Sequence, residues 1–109
     1  MGFVQIIEFR TSKIDEVRKV GLEFEAAVGD DGTARRAVIC EDKDSPGRYF
    51  NLVFFDSYDD AMKNSNLPGT QETSAKMMAL ADGPPTFYNL DVIEDRSLQS
   101  LAGDTPTAS

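Results

Sequence analysis

Four segments of this chain are apolar at odd and even positions alike, and this limits what the chain can fold into. "FVQIIEF" (3–9), "ARRAVIC" (34–40), "YFNLVFFD" (49–56) and "TFYNLDVIE" (86–94) are rich in β-branched and aromatic residues and read as strands. Successive strand side chains point to opposite faces. One set holds Val4, Ile6, Ala37, Ile39, Phe50, Leu52, Phe54, Tyr88, Leu90 and Val92, almost wholly apolar. The other holds Phe3, Gln5, Ile7, Phe9, Val38, Cys40, Tyr49, Asn51, Val53, Phe55, Phe87, Asn89, Asp91 and Ile93, apolar with polar insertions. An antiparallel sheet with one face in water alternates apolar with polar. Neither set is polar enough for that, so both faces need cover.

The helical segments are few. Ile14, Val17, Gly21, Phe24 and Val28 recur at steps of three and four, which predicts one helix with an apolar stripe. Ser12 is its expected cap, with Asp15 three residues on. Gly21 costs such a helix about 1 kcal/mol, and close approach to the sheet is the expected return. Ser57 is placed to cap a short helix over 58–65, with Asp60 at its third position. "NLPG" breaks that helix, and Pro68 is placed to open another. Pro46-Gly47, between the second and third strands, suits the centre of a type II turn.

The order is strand, helix, strand, strand, broken helix, strand. It predicts an α+β, ferredoxin-like βαββαβ domain over 1–96, with a four-stranded antiparallel sheet and its helices on one face. Residues 97–109 read as a flexible tail. The helices cover one face only, so a second copy of the chain is the simplest cover for the other. A monomer with its tail folded over the sheet is the rival, and Leu98 and Leu101 are the tail's only large apolar residues.

Composition narrows the function. The 109 residues carry 19 acidic and 11 basic side chains, a formal net charge of −8. Nucleic acid and anionic membrane surfaces both demand clustered Lys and Arg, so neither is an expected partner. There is no histidine, which removes the commonest general base and metal ligand. Cys40 is the single cysteine, so no intrachain disulfide and no cysteine-based zinc site can form. No signal peptide and no apolar run of membrane-spanning length are read, so a cytoplasmic location is expected.

"FFDSYDDAM" (54–62), set in this strand order, resembles the strand-to-helix signature of the antibiotic biosynthesis monooxygenase branch of the dimeric α/β barrel superfamily. The resemblance spans residues 3–94. It implies a homodimer through one sheet face, with a pocket between the other face and the helices. It therefore sends the mixed face to the pocket and the apolar face to the partner. The quinone-forming, cofactor-independent members carry an asparagine on the third strand, which Asn51 matches. They place a tryptophan four residues later, where this chain has Phe55. Their helical tyrosine falls near Ala61, with Tyr58 one turn earlier. The haem-degrading members need a histidine ligand, which this chain lacks.

Asn51 and Asp91 are thus the candidate catalytic residues, and Gln5, Phe55, Tyr58, Met62 and Asn89 the candidate substrate-binding ones. The amides can orient a substrate oxygen; they can equally satisfy one another across neighbouring strands. Asp91 is placed for acid–base work, or it reaches solvent or pairs with Arg36. Two functions follow. One is a monooxygenase-like enzyme acting on an aromatic or polyketide-like substrate, with no cofactor and no metal. The other is a non-catalytic dimeric domain that binds a ligand or a partner protein.

Overall fold

The computed structural model describes residues 2–98. Most of the expected tail lies outside the described residues. Strand β1 (Phe3–Arg10) leads to helix α1 (Ile14–Val28) and a 3-10 turn at Gly29–Asp31. Strands β2 (Ala34–Glu41) and β3 (Arg48–Phe55) follow, then helices α2 (Tyr58–Ser65) and α3 (Thr70–Leu80), then strand β4 (Thr86–Asp91). The sheet order is β2-β3-β1-β4, with every pairing antiparallel. This is the ferredoxin-like arrangement with helices on one face.

Local chemistry sets most boundaries. The Ser57 hydroxyl accepts a hydrogen bond from the Asp60 N–H at 3.1 Å and caps α2 as expected. Gly47 takes φ +91° in the β2–β3 turn, and the Arg48 N–H donates to the Ser45 carbonyl, as a type II turn requires. Two expectations are corrected. Ser12 does not cap α1: Lys13 holds the cap position with no side-chain bond, and it is the Thr11 hydroxyl that accepts from the Lys13 N–H. Gly21 faces α3, not the sheet, since a methyl group there would lie 3.7 Å from Met77 Cε.

Register fixes which side chains share a face. Phe3 pairs with Phe55, Gln5 with Val53 and Ile7 with Asn51, so the mixed set lies together. Phe3 and Phe55 are buried against Ala61 of α2, which puts this set under the helices. On β2 the sequence phase is wrong by one residue. Ala37 pairs with Val53 and Ile39 with Asn51 on the helix side, while Val38 and Cys40 pair with Leu52 and Phe50 on the open side. Alternation within a strand carries no phase across a turn, and a slip of one residue exchanges the faces. A bulge between Ala34 and Arg36 shifts the phase again inside β2.

The chain covers its sheet poorly. Among the described residues, the large apolar side chains that are buried are Phe3, Val17 and Phe55 alone. Every residue of β4 is exposed. The open face carries Val4, Ile6, Leu52, Phe54 and Leu90, and ends in a charged cluster around Glu8 and Arg48.

Candidate functional site

Asn51 sits at the middle of β3 on the helix-covered face, flanked by Ile7 of β1 and Ile39 of β2. Its Oδ1 is buried and has no hydrogen-bond partner among the described residues. Such an atom costs about 1–3 kcal/mol of desolvation, so buried polar groups nearly always find partners. An amide held on these terms between two isoleucines is the most unusual polar group of this sheet.

The other candidates fall into three places on the same face. Phe55 lies four residues along β3, about 13 Å from Asn51 at a strand's usual rise. It is buried against Phe3 at 6.5 Å between ring centroids. Tyr58 meets the edge of Phe3 at 5.3 Å and is otherwise exposed, and Met62 one turn on is exposed too. The positions expected to carry an indole and a phenol thus hold a packed Phe3–Phe55–Ala61 cluster. Gln5 and Asn89 form a pair: Gln5 Nε2 donates to Asn89 Oδ1 at 3.2 Å.

Asp91 stands apart. It is exposed on the edge strand, in the row of Phe3 and Phe55. That row is about 13 Å along the strands from Asn51, and β4 is two strands away from β3. The structure does not bring the two together. The Asp91–Arg36 ion pair does not form either, because β4 and β2 are opposite edges of the sheet and Arg36 points to the open face over Phe54.

Two shallow clefts lie on the helix layer. One, of about 360 Å³, runs between α1 and α3 beside Val20, Phe24 and Thr73. The other, of about 270 Å³, follows the α2–α3 connection from Ser65 to Gly69. Asn51 lines neither of them.

Sequence reasoning missed the polar end of the open face. Arg48 Nε donates to Glu8 at 2.7 Å, its Nη1 donates to Asp42 at 2.8 Å, and the Tyr88 hydroxyl donates to Glu8 at 3.0 Å. The guanidinium also covers the Phe50 ring at 4.8 Å. The bond from Arg48, then that from Tyr88, holds the Glu8 carboxyl below the usual carboxylate range, and Glu8 in turn pushes the Tyr88 phenol up. These four residues come from three strands and a turn, so only the register could have joined them. Among the described residues, no helix is long and apolar enough to cross a membrane.

No protein-family model matches the chain, and no curated protein matches it in sequence. Solved structures do match in shape. A candidate antibiotic biosynthesis monooxygenase from Caulobacter crescentus CB15 superposes with a TM-score of 0.72 at 21% identity, covering 85% of this chain and 91% of that one. SnoaB, a cofactor-independent oxygenase from Streptomyces nogalater, superposes as a variant with one asparagine changed to alanine. Its TM-score is 0.73 at 13% identity, with 86% and 95% covered. Rv0793 from Mycobacterium tuberculosis gives 0.71 at 14% identity, with 89% and 100% covered. The chain carries the fold of the antibiotic biosynthesis monooxygenase proteins.

Proposed function

We propose that this protein is a homodimeric, small-molecule-binding domain of monooxygenase type, and that an aromatic or polyketide-like substrate docks at Asn51 without a cofactor. The observation that carries this reading is the buried, unpartnered Oδ1 of Asn51. A phenolic or enolic hydroxyl would supply the missing donor, and the amide N–H groups would hold the neighbouring oxygen as it gains negative charge. An electron-rich substrate of this kind reduces O2 itself. A ring methylene becomes a carbonyl, one oxygen atom enters the product, and the other leaves as water with the two hydrogens. The shape shared with a cofactor-independent oxygenase supports the reading.

The homodimer rests on the open face. Tyr88 and Leu90 are exposed there, and Ile6, Leu52 and Phe54 are only half-buried. Covering several hundred Å² of apolar surface gives a gross drive on the order of 10 kcal/mol, before the costs of association.

Oxygen uptake with 1,8-dihydroxyanthrone tests the activity. The expected result is turnover by the wild type and its loss in Asn51→Ala with the fold retained. A second reading, binding without reaction, draws on the separation of Asp91 from Asn51 by four residues of register and two strands. It predicts that the hydroxyanthrone binds and no oxygen is consumed.

A further inference from the structure

The open face is apolar at its centre and charged on two opposite sides of it. Leu52 of β3 stands at the centre, between Ile6 and Val38. Two residues towards one end, the row runs Arg36, Phe54, Val4 and Leu90; two residues towards the other, it runs Cys40, Phe50, Glu8 and Thr86. Arg36 is exposed and holds its guanidinium over the Phe54 ring at 5.6 Å. Among the described residues it pairs with no carboxylate and donates no side-chain hydrogen bond, so its N–H donors are unspent. Glu8 accepts from Arg48 and from Tyr88, and a carboxylate has room for about four such bonds. Arg10 flanks this end and bonds Ser45 Oγ at 3.4 Å.

The unspent donor and the unfilled acceptor are too far apart to meet within one chain. They lie one strand and two residues from Leu52 in opposite directions, so Leu52 is their midpoint. A two-fold axis lying in the plane between two copies, through Leu52 and square to the line from Arg36 to Glu8, exchanges the two positions. At ordinary strand spacing and rise, the two sheets then cross at about 70°, close to the orthogonal class of sheet packing. We propose that the open face pairs with a second copy of this chain in this one register, Arg36 donating to Glu8 of the partner subunit twice about the axis. This rests on the reading of the open face as a two-copy interface. Each copy carries a formal net charge of −8, so the copies repel at a distance, and a guanidinium set on a carboxylate at both sides selects the one register that answers this. Asp42 is the rival acceptor. It lies in the turn beyond the end of β2, and its carboxyl already accepts from Arg48 and from the Asp44 N–H.

The chain's single cysteine reports on the same axis. Cys40 is exposed, and it lies on the open face opposite Phe50. On the usual spacings the axis passes about 3 Å from it in projection, so the two thiols face each other across a gap between sheets of about 10 Å.

The test is sedimentation of the full-length protein as wild type, Arg36→Gln, Glu8→Gln and the double variant, with bismaleimidoethane cross-linking of the wild type beside it. Each single variant should raise the dimer dissociation constant about tenfold or more. The double variant should be little weaker than the weaker single one, because the two groups act through one contact. The wild-type dimer should be linked covalently through Cys40. If Arg36→Gln associates as the wild type does, if the two substitutions weaken the dimer additively, or if the wild-type dimer is not linked, this register is refuted while the two-copy interface stands. If the wild type sediments as a monomer, both readings fall.

Discussion

The Thr11 hydroxyl donates to the Leu80 carbonyl at 2.6 Å and joins the start of α1 to the end of α3. Thr11 is 3% exposed. The same oxygen accepts from the Lys13 N–H, and the Thr11 N–H donates to the Gly47 carbonyl in the β2–β3 turn. One residue, through its side chain and its backbone N–H, thus ties three connections at one end of the sheet. Thr11→Val keeps the shape and removes the hydroxyl, leaving a helix-end carbonyl and an N–H without their partner. Urea denaturation should show a loss of about 1–3 kcal/mol. Thr11→Ser should lose much less.

Gly21 stands in the interior of α1, where the helix could hold a side chain. A methyl there would meet only Met77 Cε, at an ordinary contact distance. Gly21→Ala should therefore stabilise the protein by up to about 1 kcal/mol through helix propensity and a less disordered unfolded chain. Loss of stability in the same denaturation experiment would show that α1 and α3 pack more tightly than this.

Glu8 sets an acid limit. Its carboxyl is held below the usual range by Arg48 and Tyr88, with Arg10 adding a smaller attraction. The folded state therefore binds this proton less readily than the unfolded one. The stabilisation is complete above the ordinary carboxylate range and is lost as pH falls through the lowered value. A stability–pH series should show wild type exceeding Glu8→Gln at neutral pH, with the gap closing in acid. A gap that stayed constant with pH would contradict this assignment.

The open face should hold the dimer. Leu52 lies on the central strand β3 and points to that face, opposite Ile6 and Val38. Leu52→Glu would bury a charge without a partner at a two-copy interface. Sedimentation at micromolar concentration should give a dimer for wild type and a folded monomer for this variant. A wild-type monomer would remove the need for a second copy.

Strand order, the split of the second helical region and the Ser57 cap were legible because each is written locally, in periodicity and turn chemistry. The faces of β2 were not, since a bulge between Ala34 and Arg36 and the turn before Arg48 reset a phase that no residue announces. At the site, Asn51 was legible as an amide interrupting an apolar strand. Its distance from Asp91 was not, because the two share a face and differ by four residues in register and by two strands. The Arg48 cluster was hidden for the same reason, as its partners are assembled only by pairing.

Asn51 itself carries the most direct measurement. Asn51→Leu replaces the half-buried amide, whose Oδ1 is buried and unpartnered, with an apolar side chain of similar size. We expect the variant to denature at a higher urea concentration than wild type, by about 1 kcal/mol or more, and to gain no stability from 1,8-dihydroxyanthraquinone, which should stabilise wild type. A less stable variant that still responds to the quinone would contradict the account.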